Sequence, residues 1–243
     1  MRVLVVSDVH SNLAALQAVF ADAPPHDQVW SLGDIVGYGP DPNACIALLR
    51  ERDYIAIPGN HDWGVLGLLD LATFNDRARI ANEWNRAQLT SESRAYLEGL
   101  PQVIVCDGVT LAHGSPRAPI WEYLFDGMVA KASLAHFDTA LCLVGHTHVP
   151  VIFRDVPGQR ACDVIEPEPN AGEHACSGER CIINPGSVGQ PRDRDPRAAY
   201  LLLDTATLRY EHRRVPYDVR ATQDKMRAAG LPAMLADRLE AGW

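Results

Sequence analysis

The sequence predicts an α/β fold. Short β-branched apolar runs alternate with segments of helical periodicity, and the first three apolar runs end in polar clusters, two of which contain glycine. The chain has 243 residues, of which 47% are hydrophobic, so it can bury a sizeable core. We therefore expect one domain over residues 1–243 rather than a split into two.

The first part of the chain alternates between the two patterns. Val3 to Val6 is a continuous apolar run, and the apolar residues that follow it recur at helical spacing. Pro58 and Gly59 end the third apolar run. The predicted order is strand, helix, strand, helix, strand, at residues 2–6, 13–20, 29–32, 43–52 and 54–57.

Two cap helices are predicted over residues 75–100. Ile80 and Trp84 recur there at the spacing of an amphipathic helix, which indicates core positions. Pro101 ends this helical part. After Pro101 the sequence predicts three strands, at residues 103–105, 109–112 and 140–144.

An irregular excursion is predicted over residues 156–180, where Pro, Gly, Glu and Cys accumulate without periodicity. Cys162, Cys176 and Cys181 match no established zinc or disulfide spacing, so we assign them no role. The remaining predicted elements are three strands, at residues 181–183, 199–203 and 208–213, and two short terminal helices within residues 219–239.

The charge and the N-terminus exclude some classes of partner. A net charge of -9 repels a long polyanion, so a nucleic-acid polymer is disfavoured as a partner. A small phosphorylated substrate is compatible, because bound cations invert the local field. Ser7 and Asp8 interrupt the first apolar run too early for a signal peptide or a membrane span. We expect a cytoplasmic protein with no membrane partner.

Five polar clusters follow predicted strands, and they hold five of the nine histidines. In open α/β sheets ligands collect at the carboxyl ends of strands, so these clusters are expected to converge on one site. Their mixture of oxygen and imidazole donors, without thiolates, suits divalent transition metals. Because side chains alternate along an extended segment, D-x-H and H-x-H each place two donors on one side. The clusters are Asp8-Val9-His10, Gly33-Asp34, Gly59-Asn60-His61-Asp62, His113-Gly114 and Gly145-His146-Thr147-His148.

Together these five motifs resemble the calcineurin-like metallophosphoesterase superfamily, in the small prokaryotic phosphodiesterase and phosphatase branch. The resemblance covers residues 1 to about 204 in the superfamily's motif order. It implies a four-layer αββα sandwich of two mixed sheets. It also implies two divalent cations, Mn, Fe, Ni, Co or Zn with Mn favoured, and attack on phosphorus by a hydroxide that bridges them. One cation would be bound by Asp8, His10, Asp34 and His148, and the other by Asp34, Asn60, His113 and His146.

The resemblance also implies roles for residues that bind no metal. His61 would stabilise the transferring phosphoryl group or protonate the leaving oxygen, with Asp62 orienting its imidazole. Arg192 follows the branch signature at residues 184–189 and is a candidate phosphate clamp, since a guanidinium grips phosphate in a bidentate fashion. Tyr38 lies in the segment GDIVGYGPDP and is a candidate for stacking on a substrate base.

Several functions stay open at this point. The favoured substrates are phosphodiesters or small nucleotide-type esters, and the alternatives are phosphomonoesters, phosphoproteins and dinucleoside polyphosphates. A metal-binding scaffold without catalysis is a different class of function. Against the scaffold, His61 and all seven ligand positions carry chemically competent residue types. The sequence predicts no oligomeric state.

Overall fold

The computed structural model describes residues 1–176 and 179–243 and contains two mixed β-sheets. In chain order the strands are β1 (Arg2–Val6), β2 (Gln28–Ser31), β3 (Tyr54–Ala56), β4 (Val103–Cys106), β5 (Val109–Ala112), β6 (Leu141–Leu143), β7 (Val151–Arg154), β8 (Asp163–Ile165), β9 (His174–Ala175), β10 (Cys181–Asn184), β11 (Ala198–Asp204) and β12 (Arg209–Val215). In the described residues the first sheet has the order β3-β2-β1-β11-β12-β9 and the second the order β4-β5-β6-β10-β7-β8.

Helices flank both sheets. In chain order they are α1 (Leu13–Asp22), α2 (Pro42–Arg50), α3 (Asn60–Leu66), α4 (Asp76–Gln88), α5 (Ser91–Glu98), α6 (Gly127–Ser133), α7 (Val219–Ala228) and α8 (Ala233–Ala241). Asn12 caps α1, because its side-chain oxygen accepts a hydrogen bond from the Ala15 N–H at 3.2 Å. Over residues 1–176 and 179–243, no helix is both long and apolar enough to cross a membrane.

The alternation of side chains along β1 builds the layers. Val5 points into the core between the sheets and packs in one cluster with Leu111 of β5. Leu4 points the other way and packs with Leu16 of α1. On the far side of the molecule, Ala130 of α6 covers the second sheet. The layers therefore run helix, sheet, sheet, helix, which confirms the predicted four-layer sandwich.

Parallel strands bring the polar clusters to one edge. β1, β2 and β3 pair in parallel in the first sheet, and β5, β6 and β10 do so in the second. The edges of the two sheets meet where His113, after β5, contacts the Leu32 carbonyl, after β2, at 2.8 Å. The expected convergence of strand ends is thus present in the fold.

Some elements differ from the sequence prediction. The excursion over residues 156–180 contributes two short strands, β8 and β9, and residues 177 and 178 of it lie outside the described part of the chain. Helices α3 and α6 and strand β7 were not predicted. The assignment of Ile80 to the core was wrong, since its side chain is exposed, whereas Trp84 is half-buried.

Candidate metal centre

The seven residues expected to bind metal lie together and are buried. Asp8 and His10 follow β1, Asp34 follows β2, and Asn60 begins α3 just after β3. His113 follows β5, and the two histidines of the G-H-T-H motif follow β6. None of the seven is more than 3% exposed. Burial of so many polar groups is favourable only if they are paired or coordinate a cation.

The first group of donors comprises Asp8, His10, Asp34 and His148, whose ligand atoms lie within 4.8 Å of one another. The Nε2 atoms of His10 and His148 are 3.0 Å apart. Asp8 Oδ1 lies 3.2 Å from His148 Nε2, and Asp34 Oδ2 lies 3.6 Å from His10 Nε2. Two carboxylates and two imidazoles therefore face one small volume.

The second group comprises Asp34, His113 and His146, again within 4.8 Å. Asp34 Oδ2 lies 3.4 Å from His113 Nε2, and Asn60 Oδ1 lies 3.3 Å from the same nitrogen. Asp34 Oδ2 thus faces both groups, and among the described residues it is buried without a hydrogen-bond partner. An orphaned carboxylate oxygen between two donor groups fits an atom that bridges two cations.

Backbone carbonyls set the tautomers of the histidines. His10, His113 and His148 each direct Nδ1 at a carbonyl, with distances of 3.2, 2.8 and 2.6 Å. Because a carbonyl only accepts, Nδ1 carries the proton and Nε2 keeps its lone pair for the site. His146 has the opposite tautomer. Its Nε2 lies 3.2 Å from the Trp121 carbonyl, which leaves Nδ1 as its ligand atom.

The charge states suit a cation. Burial alone would raise the pKa of Asp34, but the neighbouring His113 and His61 imidazoles hold that pKa well below its usual range. Burial keeps the pKa of His10 low, so its imidazole is neutral. Burial also acts to lower the pKa of His113, but the Asp34 carboxylate outweighs burial and raises that pKa to about 9. A cation would displace that proton, as metal binding to histidine generally does. The donor set therefore fits two divalent transition-metal ions.

The backbone is left-handed at five of the seven candidate ligands, which corrects the expectation of an extended D-x-H segment. The φ angles are 52° at Asp8, 48° at His10, 51° at Asp34, 67° at His146 and 60° at His148. Each such non-glycine residue costs on the order of 1 kcal/mol or more. The side chains converge because the chain turns at these positions, and strain of this kind is typical of functional sites.

Gly59 lies against Asp34, and a Cβ at this position would overlap the Asp34 carboxylate. We expect Gly59→Ala to displace that carboxylate and to weaken metal binding by about 10- to 100-fold. Metal content after dialysis at fixed Mn²⁺ measures the effect. Gly99→Ala is the matched control, since its Cβ meets only atoms 3.5 Å or farther away. Equal metal content in both variants would contradict the expectation.

Metal addition should also stabilise the fold. Asp8 and Asp34 are buried carboxylates, and a bound cation compensates their charge. At 100 times the dissociation constant the gain is about 2.7 kcal/mol, or roughly 5–10 °C in the midpoint of thermal unfolding. The measurement is thermal unfolding of chelator-stripped protein with and without Mn²⁺. An unchanged midpoint at saturating Mn²⁺ would count against binding at this site.

His61 lies beside the metal ligands without belonging to either donor group. Its backbone N–H donates to Asp34 Oδ1 at 2.8 Å, and its Nδ1 lies 2.9 Å from Asn82 Oδ1. The ring packs near Tyr38 and Phe74, with ring centroids 4.3 and 5.2 Å away. Burial lowers the pKa of His61 to about 4, so its imidazole is neutral at pH 7.

Asp62 does not orient the His61 imidazole as expected. Its carboxylate accepts backbone N–H bonds from Gly59 at 2.9 Å, Val36 at 3.0 Å and Ile35 at 3.3 Å. Asp62 therefore ties the loop after β2 to the loop after β3. Asn82 of α4 takes the orienting position beside His61 instead.

The two candidate substrate-binding residues, Tyr38 and Arg192, differ in how deeply they are buried. Tyr38 is only 5% exposed and packs against His10 and His61, so the expectation that it stacks on a substrate base is wrong. Arg192 is half-buried, and its Nη2 donates to Gln190 Oε1 at 3.0 Å. Its Nε is buried without a partner among the residues that the structure describes. Arg192 therefore keeps one N–H donor that the described residues leave unused.

Sequence reasoning missed the asparagines of α4. Asn82 contacts His61, and Asn85 accepts hydrogen bonds from Ser11 Oγ at 2.7 Å and from the Gly37 N–H at 3.2 Å. Both are fully buried. Their spacing of three residues on one helix face was a usable signal. The sequence analysis instead placed the larger Ile80 on the buried face of this helix.

Comparison with known proteins agrees with this geometry. A sequence model of the calcineurin-like phosphoesterase superfamily domain matches residues 1–208. The crystal structure of a metallophosphoesterase from Sphaerobacter thermophilus is 46% identical, with a TM-score of 0.92 over 100% of this chain and 99% of that chain. An uncharacterized protein of Methanocaldococcus jannaschii is 36% identical over 99% of this chain and 98% of its own length.

A third relative matches only in part. Serine/threonine-protein phosphatase 1 of Salmonella typhimurium is 38% identical over 102 residues, which are 41% of this chain and 47% of that protein. The superfamily model and the first two relatives span most of the chain, which confirms the resemblance seen in the five motifs. The chain therefore belongs to the calcineurin-like phosphoesterase superfamily.

Proposed function

We propose that this protein hydrolyses phosphodiesters or small nucleotide-type phosphate esters with the help of two divalent cations. The observation that carries the proposal is the buried, orphaned Asp34 Oδ2, which lies 3.6 Å from His10 Nε2 and 3.4 Å from His113 Nε2. A single carboxylate oxygen between two sets of nitrogen and oxygen donors is the arrangement that a dinuclear site requires.

Each cation would be held by four residues. Asp8, His10, Asp34 and His148 would bind one, and Asp34, Asn60, His113 and His146 the other. When bound, such a pair neutralises charge on the phosphoryl oxygens and lowers the pKa of water. Mixed carboxylate and imidazole donors without thiolate suit Mn, Fe, Co, Ni or Zn, and of these we propose manganese.

His61 is proposed to act on the leaving oxygen. Asn82 Oδ1 can only accept, so His61 Nδ1 carries the proton, and Nε2 has no hydrogen-bond partner among the described residues. A bound phosphoryl group brings negative charge, which favours protonation of Nε2. The imidazolium can then donate that proton to the leaving oxygen or hold a phosphoryl oxygen.

Arg192 is proposed to bind the phosphoryl group. Burial is the main cause that lowers the pKa of His61 and of His148, and the positive charge of Arg192 lies close enough to lower both further. The Arg192 Nε has no partner in the described residues. A guanidinium in this position offers an N–H bond to a phosphate oxygen at a fixed angle.

A protein phosphatase is the second candidate, favoured by the partial match to the Salmonella phosphatase. The net charge of -9 disfavours long polyanions under either candidate. The two candidates differ in the number of organic groups on the phosphate, so their preferred model substrates differ.

The test compares bis(4-nitrophenyl) phosphate with 4-nitrophenyl phosphate, using chelator-stripped protein resupplied with Mn²⁺. We expect Mn²⁺-dependent release of nitrophenolate, with the diester preferred. A preference for the monoester would favour the phosphatase. His136→Ala is the control variant, because His136 is exposed and belongs to neither donor group. Turnover that persists in excess chelator, or none on either ester, would contradict the proposal.

A further inference from the structure

A row of exposed aromatic side chains borders the metal centre. In the segment between β5 and α6, Trp121, Tyr123 and Phe125 are 39%, 40% and 66% exposed, whereas Leu124 between them is buried. This alternation is the pattern of an extended segment with one face outward. We call the three residues Trp121, Tyr123 and Phe125 the aromatic ledge.

The aromatic ledge is continuous with a metal ligand. The Trp121 carbonyl lies 3.2 Å from His146 Nε2. The Tyr123 ring stacks on the His146 ring, with a centroid distance of 3.7 Å and an interplanar angle of 26°. Phe125 is nearly parallel to Tyr123, at 5.2 Å and 4°. A phosphate ester at the metals therefore has the aromatic ledge as an immediate neighbour.

Contacts of Glu122 and Leu124 hold the segment that carries the aromatic ledge in place. Glu122 accepts a hydrogen bond from Ser115 Oγ at 2.6 Å and forms an ion pair with Arg117. Leu124 packs in one cluster with Ala130 of α6. The aromatic rings are thus held outward by a rigid support. Large exposed apolar side chains in a row, unlike scattered ones, typically mark a binding surface.

A pocket of about 260 Å³ lies beside the outermost ring. Phe125, Val149, Val151 and Val164 contribute apolar wall, and Thr147 stands at its edge. Thr147 lies between His146 and His148 in the chain, so the pocket is one residue away from two of the donor histidines. Glu166 and Asp193 also line it, and their negative charge disfavours a second phosphate there. The pocket suits an uncharged ring.

We infer that the aromatic ledge and this pocket form the subsite for a planar aromatic group attached to the phosphate, such as a nucleobase or an aryl ring. The inference rests on the proposed function, because it takes the phosphate to lie at the metals. Aromatic faces bind such groups by stacking, and apolar walls exclude water around them. Tyr38, buried behind His10, cannot take this role.

The test measures equilibrium binding of non-hydrolysable phosphonates to the Mn²⁺-loaded protein by calorimetry. Phenylphosphonate and cyclohexylphosphonate carry rings of similar size, of which only the first is planar and aromatic. We expect phenylphosphonate to bind about 5- to 100-fold more tightly, the range that stacking supplies. The 5′-phosphonate of thymidine is the third ligand. Tighter binding of it than of phenylphosphonate would identify a nucleobase, and weaker binding an aryl group.

Variants of the exposed rings complete the test. Phe125→Ala and Trp121→Ala should each bring the phenyl-to-cyclohexyl affinity ratio towards one, whereas Phe125→Tyr should retain it. Val105→Ala is the control, since Val105 is as exposed as Phe125 but lies on the edge strand β4. A ratio near one in the unmodified protein, or a ratio unaffected by both alanine variants, would overturn the subsite.

Hydrolysis of bis(4-nitrophenyl) phosphate by the same preparations distinguishes a failure of the subsite from a failure of the proposed function. If the diester is hydrolysed with Mn²⁺ but the phosphonates show no aromatic preference, the subsite is wrong and the proposed function stands. If neither hydrolysis nor phosphonate binding occurs in Mn²⁺-loaded protein, the proposed function fails and the subsite with it.

Discussion

Asp34→Asn is expected to lower kcat/KM for a phosphodiester by about a thousandfold or more. The amide keeps the shape of the side chain but removes the negative charge that faces both donor groups. Because Asp34 Oδ2 lies within 3.6 Å of His10 Nε2 and His113 Nε2, both cations would lose the negatively charged oxygen that they share. A loss of about 4 kcal/mol in transition-state stabilisation corresponds to that thousandfold effect.

The measurement pairs turnover with metal content. We expect the variant to retain less than half of the Mn²⁺ of the unmodified protein after dialysis, while circular dichroism shows a folded chain. Asp53→Asn is the matched control, since Asp53 is an exposed carboxylate that bonds only Gln28 among the described side chains. Full metal content and full activity in Asp34→Asn would refute the bridging role.

His61→Ala is expected to lower kcat by about 10²- to 10⁴-fold while the protein still binds its metals. His61 belongs to neither donor group, but its backbone N–H contacts Asp34 and its ring lies near His10. Removing the ring should therefore affect chemistry far more than metal affinity. Asn82→Ala should give a smaller loss, about tenfold, because it removes only the partner that orients the ring.

The leaving group separates the two roles considered for His61. If the imidazolium protonates the leaving oxygen, the defect should be large for alkyl esters and small for 4-nitrophenyl esters, whose leaving group needs no proton. If His61 only holds a phosphoryl oxygen, the defect should be similar for both. An undiminished kcat on alkyl esters in His61→Ala would exclude both roles.

The positions of the ligand side chains were predictable from sequence because strand ends in α/β sheets meet at one edge. The strand-end positions predicted that the polar clusters converge, and the family resemblance of these motifs named the seven residues that the structure brings together. The four layers were implied by the family resemblance, and the continuous apolar run of β1 agrees with them, since a strand that is covered on both faces is apolar throughout.

The local geometry was not predictable from the same reasoning. Asp and His adopt left-handed backbone more often than most residues, but this local preference is weak, and tertiary contacts impose the conformation at Asp8 and His10. The partner of His61 was misplaced because sequence proximity favoured Asp62, whereas Asn82 reaches the ring from α4 across the fold. Burial of Tyr38 likewise depends on contacts with distant elements.

The most direct test of a dinuclear centre is Mn²⁺ titration of chelator-stripped protein, followed by elemental analysis and electron paramagnetic resonance. Two donor groups that share Asp34 predict two Mn²⁺ per chain, roughly 3.5 to 4 Å apart. Ions at that separation should give an exchange-coupled spectrum, and diester turnover should rise until both are bound. Saturation at one ion, or two ions with the six-line spectra of isolated Mn²⁺, would contradict a shared Asp34 bridge.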